Sequence, residues 1–133
     1  MDDTLIDDII TSEDRPFEDV VVPEWKNRTL RIVVLPGTER DAWEISLVKV
    51  ENGKAVPNRH NFRARLLVRC IADPKSGERV FKDGHAEILG TKSGDVIARL
   101  FAVASRLNRL NPEDVEELGK GSALIQSADS GSA

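Results

Sequence analysis

The spacing of apolar residues along this chain changes period several times, and each change marks an element. Near the start, Leu5, Ile6, Ile9 and Ile10 recur at helical spacing among Asp2, Asp3, Asp7 and Asp8, which predicts a short acidic helix with one apolar stripe. A helix this short is marginal in water, so it needs a surface to pack on: its own domain, a second copy or another protein. Pro16 and Pro23 interrupt any regular element after it. From Thr29 to Leu35 the β-branched run predicts a strand, and Pro36-Gly37 ends it. Thr38 then reads as an N-cap, with Asp41 favourably placed in the first turn of a helix. Trp43, Leu47 and Val50 follow at i, i+4 and i+7, one helical face. Val48 to Val56 also alternates around Asn52-Gly53, a hairpin signal. The helix is the reading adopted, ending near Val50 with Asn52-Gly53 as its stop.

Pro57 and Asn58 open the next predicted helix. Phe62, Leu66 and Cys70 share one face, broadened by Leu67 and Ile71, while Arg59, Arg63, Arg65 and Arg69 occupy the others. Asp73 to Gly77 is a turn. Val80-Phe81 reads as a strand remnant beside Ile71, and Asp83 as the cap of a brief helix that Gly90 stops. The longest helix runs from Ser93 to Leu110, where Val96, Ile97, Leu100, Phe101, Ala104 and Leu107 form a wide apolar face. Asn111-Pro112-Glu113-Asp114 starts a last short helix, Val115 to Leu118, that ends at Gly119. The fold class is therefore α+β and mostly α-helical: one small domain with one or two short N-terminal or edge strands and about four helices. Residues 1–24 form an acidic, partly disordered arm, residues 25–119 the domain, and residues 120–133 a flexible tail.

Composition narrows the class. The 133 residues are 40% hydrophobic and 32% charged, too aliphatic for wholesale disorder and enough for one modest core. No apolar run is long enough to span a membrane, and Met1-Asp2-Asp3 lacks the start of a signal peptide. The lone Cys70 excludes an internal disulfide. The expected compartment is therefore the cytoplasm. The net charge of −4 hides a strong asymmetry. Residues 1–24 set nine acids against Arg15, a net −8, and residues 25–109 set 17 bases against nine acids, a net +8.

Catalytic chemistry is sparse. Asp83, His85 and Glu87 are the one cluster of metal-ligand types. On a helix they diverge, and a cap followed by solvated polar residues explains them without a metal. Cys70 lies on an apolar face, as a small buried hydrophobe does. Leu89-Gly90-Thr91-Lys92-Ser93-Gly94 lacks the spacing of a phosphate-binding loop. No enzyme activity and no cofactor are expected. The arginines at 59, 63, 65 and 69 could grip phosphates as a regulator of nucleic acid would. The acidic total and the absence of Tyr favour arginines that cover a core helix or pair with the acidic arm, and no nucleic-acid partner is expected.

Taken in order, several segments resemble tail assembly chaperones of long-tailed bacteriophages and prophages. These are Val22-Pro23-Glu24-Trp25, Pro36-Gly37-Thr38-Glu39-Arg40-Asp41-Ala42-Trp43-Glu44, and Asn61-Phe62-Arg63-Ala64-Arg65-Leu66-Leu67-Val68-Arg69. Further on come Arg79-Val80-Phe81, Leu89-Gly90-Thr91-Lys92-Ser93, Ala98-Arg99-Leu100-Phe101, Arg106-Leu107-Asn108-Arg109-Leu110 and Glu113-Asp114-Val115-Glu116-Glu117-Leu118. The likeness spans residues 20 to 119, and order and spacing carry it rather than any single motif. It implies a non-enzymatic holdase in the host bacterial cytoplasm. Such a protein binds the tape-measure protein while tail-tube subunits polymerise and is absent from the finished tail. It also implies a longer form made by ribosomal frameshifting that recruits the tube protein, and a homo-oligomer. The candidate partner contacts are Leu5, Ile6, Ile9, Ile10, Arg59, Arg63 and Arg69. A structural tail or head–tail connector subunit is the alternative, and a nucleic-acid-binding phage regulator a more distant one.

Overall fold

A computed structural model describes residues 3–111 of the chain. Strand β1 (Phe17–Val22) pairs antiparallel with β2 (Arg28–Val33), and β5 (Ile71–Ala72) pairs with the other side of β2, giving the order β1-β2-β5. Between β1 and β2 a single 3-10 turn, Pro23–Trp25, reverses the chain through Lys26 and Asn27, both at positive φ. Alternation along β1 sends Val20 and Val22 to the core and leaves Phe17 and Val21 in solvent.

Two helices cover the inner face of this sheet. Helix α3 (Phe62–Cys70) buries Phe62, Ala64, Leu66, Leu67, Val68 and Cys70, and α5 (Gly94–Leu107) buries Val96, Ile97, Leu100, Phe101 and Ala104. Phe62 and Phe101 meet edge to face, with ring centroids 5.7 Å apart at 88°. Val22, Ile32 and Ile71 complete the centre from the sheet side. Full burial of an aliphatic side chain is worth about 1.5–3 kcal/mol, so this cluster is the main source of stability. Around it lie α2 (Gly37–Ser46), whose Trp43 is buried, and α4 (Ala86–Leu89), which buries Ala86 and Leu89. Helix α1 (Asp3–Thr11) buries none of its side chains.

The second sheet is a hairpin of β3 (Val48–Glu51) and β4 (Lys54–Pro57), with Val48 opposite Pro57 and Val50 opposite Ala55. Its turn is Asn52-Gly53, both at positive φ, the conformation that this pair adopts readily.

The α+β class stands as the sequence predicts, and so do the faces of α3 and α5. The strand remnant at Val80 does pair next to Ile71: the Val80 N–H donates to the Ile71 carbonyl at 3.1 Å, and Ala72 bridges Arg79. Other expectations need correction. The helix over Trp43 ends at Ser46 rather than near Val50, because Val48 and Val50 extend into the hairpin that the Asn-Gly signal allowed. Pro36 rather than Thr38 caps it. Pro57 closes β4 instead of opening α3, which begins at Phe62 after Asn61 turns the chain at φ 50°. Residues 17–22, assigned to the arm, form β1, and Val22 is a fully buried core residue. The helix predicted after Asn111 and the tail lie outside the described residues.

Candidate interaction surface

The sequence singled out two groups, the apolar stripe of α1 and the arginines at 59, 63 and 69, just before and along α3. All four stripe residues are solvent-accessible, and Ile9 and Ile10 are the most open at 65% and 73%. At 100° per residue, Leu5, Ile6, Ile9 and Ile10 fall on one face, bordered by Asp3 and Asp7 on one side and Asp8 on the other. The helix is therefore an acidic rod with one uncovered apolar edge.

The arginines divide by role. Arg69 is held between Glu39 and Asp83, the latter at 3.1 Å, and is mostly covered. Arg65 points back to the base of the hairpin, where its guanidinium donates to the main-chain carbonyls of Ser46 and Asn58, and to His60 at 3.0 Å. Its burial lowers its pKa from the usual arginine value. Arg63 is exposed and lies over the Phe62 ring, 4.8 Å from its centroid. Arg59, Arg63 and Lys92 line a shallow cleft of 270 Å³ between the starts of α3 and α5, and no carboxylate among the described residues lines it. Of the four cations, Arg59 and Arg63 are the exposed ones without an ion pair among the described residues.

A further cleft, of 390 Å³, is lined by Trp25, Phe81, Ile88 and Leu89 and rimmed by Glu24, Lys26 and Lys92. The Arg99 guanidinium bonds Glu24, lowering the pKa of its carboxyl below the usual 4.5. Lys26 and Lys92 have no ion pair among the described residues, so the rim is effectively basic. Sequence reading missed this site, because its apolar residues come from a turn, a loop and a four-residue helix that show no common period. The one available hint was Trp25, an aromatic just after Pro23 and outside any predicted element.

Asp83, His85 and Glu87 separate as a helical placement requires. Asp83 bonds Arg69 and Arg79, which together hold its carboxyl below the usual 3.8, the Arg79 hydrogen bond being the larger influence. The His85 Nδ1 accepts from the Lys82 N–H at 2.9 Å, and Glu87 meets His60 at 2.8 Å. Among the described residues no three metal-ligand side chains converge. Burial pushes the Cys70 thiol up to about 12, so it stays protonated at neutral pH and is a poor nucleophile. No helix among the described residues is long and apolar enough to cross a membrane.

Known proteins give this surface a context. A family model described as phage tail assembly chaperone matches residues 6–120. Among solved structures, the tail assembly chaperone of bacteriophage HK97 superposes with a TM-score of 0.54 at 18% identity, covering 78% of this chain and 93% of that one. At that identity the likeness concerns the fold. No curated protein matches the chain.

Proposed function

Because this chain belongs to the phage tail assembly chaperone family, we propose that it is a non-enzymatic holdase that binds the tape-measure protein in the host cytoplasm and is left out of the finished tail. The observation that carries this reading is the uncovered stripe of α1. A protein that keeps an aggregation-prone client in solution must offer apolar surface without itself aggregating. A helix with aliphatic residues between rows of carboxylates meets both demands, because like charges repel the stripes of other copies while apolar client segments can still dock.

Leu5, Ile6, Ile9 and Ile10 are accordingly the proposed client contacts. Arg59 and Arg63 are the proposed sites for client carboxylates at the basic cleft. Arg69 is the weakest of the candidates, since Glu39 and Asp83 already engage its guanidinium. Recruitment of tail-tube subunits falls to a longer frameshifted form that carries this domain. The commitment of Arg65 and Arg69 to internal partners also favours a protein client over a nucleic acid, which would need the whole row of cations.

Co-expression with the tape-measure protein of the same tail gene cluster tests this. The client is expected to move to the soluble fraction and to co-elute with the chaperone. The Ile9→Asp/Ile10→Asp variant, checked for unchanged circular dichroism, is expected to lose most of that effect. A client that stays insoluble, equal rescue by the double variant, or recovery of this chain in purified virions would each overturn the proposal.

A further inference from the structure

The apolar cleft around Trp25 and the basic cleft beside it adjoin, because Lys92 lines both. At one end of the combined groove the floor is Trp25, Phe81 and Leu89, with Ile88 63% exposed. At the other end, past Lys92, stand Arg59 and Arg63. Neither arginine has an ion pair among the described residues, and the same holds for the rim lysines, Lys26 and Lys92. The sole carboxylate among the lining residues, Glu24, is already engaged by Arg99. An apolar floor thus leads into four cations whose charge nothing nearby offsets.

Such a groove sets two demands on an occupant. It must cover Trp25, Phe81 and Ile88 with apolar side chains, and it must bring carboxylates to the cations. Residues three and four apart on a helix share a face, so a helix with an apolar stripe bordered by acids meets both demands at once. Its carboxylates then lie one or two turns, about 5–11 Å, beyond its apolar residues. A nucleic acid meets only the second demand, because Ile88 and Leu89 give it neither a hydrogen bond nor a stacking face. Tryptophan and arginine are also the side chains that most often carry the energy of a protein interface. Attraction to the cations fixes the direction of the bound helix, with its apolar side over Trp25 and its acids toward Arg59 and Arg63.

We propose that the groove running from Trp25 to Arg59 receives acidic amphipathic helices of the client. For the identity of the client the inference rests on the holdase reading, and it adds a second docking surface of opposite preference. The stripe of α1, flanked by carboxylates, favours apolar segments bordered by bases. The groove favours those bordered by acids. One chain therefore holds client helices of either charge.

Overlapping peptides of about 25 residues, long enough to form a helix, taken along the tape-measure protein, test this against the full chain. The signal is the emission of half-buried Trp25, since Trp43 is buried in the core. Peptides with an apolar stripe bordered by Asp or Glu are expected to shift that emission to the blue, and those bordered by Lys or Arg to leave it unchanged. The variants Ile88→Asp and Arg63→Glu/Lys92→Glu, both folded by circular dichroism, should each weaken binding at least about tenfold. High salt should weaken the binding of the unaltered chain as well. No shift with any acidic peptide, unchanged binding by either variant, or tighter binding of a single-stranded oligonucleotide than of any peptide would overturn the proposal. So would binding that appears only in the Ile9→Asp/Ile10→Asp chain, since α1 would then be the occupant. Client rescue in co-expression without peptide binding would remove the groove and keep the holdase reading, and peptide binding without rescue would do the reverse.

Discussion

One carboxamide holds three parts of the core together. Asn108 follows the last turn of α5, where its Oδ1 accepts the buried Leu35 N–H at 2.8 Å. Its Nδ2 donates to the carbonyls of Ala104 at 2.9 Å and Val33 at 3.3 Å, and its own carbonyl accepts from Arg40 at 2.8 Å. Leu35 lies between β2 and α2, so this side chain fixes how the sheet, α2 and the end of α5 meet. With Asn108 only 6% exposed, water cannot replace these bonds without rearrangement. Asn108→Ala leaves the Leu35 N–H buried without its acceptor and opens a small void. The expected loss is about 2–4 kcal/mol, read from urea unfolding followed by the fluorescence of buried Trp43. A loss near zero would mean that the junction is held by apolar packing alone. Nothing in the pattern of the sequence marks Asn108, because a polar residue at the end of an amphipathic helix is ordinarily solvated. Its role depends on residues more than seventy positions away.

At the scale of elements, the hairpin depends on a residue outside it. The Arg65 fork bonds the carbonyls of Ser46 and Asn58, which flank the two strands at their base. Asn58 adds its N–H to the Leu47 carbonyl at 2.7 Å and its Nδ2 to Ser46 at 3.1 Å. A two-stranded hairpin is marginal by itself, and here Ile45 and Val50 are each more than 70% exposed, so little apolar burial supports it. Arg65→Ala should therefore free residues 48–57 while α3 and α5 keep their protection. The expected change is about tenfold faster amide hydrogen exchange confined to the hairpin, the equivalent of about 1.4 kcal/mol. Lysine, a point donor, should restore only part of it. Exchange that rises evenly over the whole chain would make Arg65 a general core residue instead. The same region shows what the sequence can and cannot tell. The faces of α3 and α5 are legible because each is buried against one partner layer and repeats at 3.6 residues. The hairpin is ambiguous, because Trp43, Leu47 and Val50 fit a helix as well as Val48 to Val56 fits two strands. Local pattern cannot weigh the anchor that Arg65 supplies from α3. Strand β1 is hidden for a different reason: its acidic residues Glu18 and Asp19 and its two bounding prolines read as an arm, until pairing with β2 gives Val20 and Val22 a buried side. Of the interaction surface, the α1 stripe and the outward Arg59 and Arg63 are visible in sequence, whereas the apolar cleft exists only after three separate segments meet.

Across the described residues, opposite charges tie the edge strand and the turn that follows it to α5 and to β2. Glu18 meets Arg106 at 2.7 Å, Glu24 meets Arg99, and Asp19 accepts from Arg31 at 2.8 Å. On the other side Asp83 joins Arg69 and Arg79. The carboxyl pKa values of Asp19, Glu24 and Asp83 are lowered chiefly by hydrogen bonds from Arg31, Arg99 and Arg79, and that of Asp73 by the N–H groups of Lys75 and Ser76. A group whose pKa falls on folding favours the native state at every pH above its unfolded value, here 4.5 for Glu24 and 3.8 for the aspartates. That contribution disappears as pH drops through the lowered folded value. All four groups act in the same direction. The acidic arm opposes them, because protonating its carboxylates relieves repulsion. Those charges are fully exposed, however, and at physiological salt the screening length is about 8 Å. The hydrogen-bonded carboxylates should therefore prevail. The melting temperature is expected to stay level from pH 7 to pH 5 and to fall steadily below about pH 4, as followed by far-ultraviolet circular dichroism at constant ionic strength. A melting temperature that rises on acidification to pH 3 would show that repulsion among the arm's aspartates outweighs the ion pairs. Removing residues 1–11 separates the two effects. Without the arm the acid loss should begin at the same pH and be at least as deep, since Asp19, Glu24, Asp73 and Asp83 all lie outside residues 1–11.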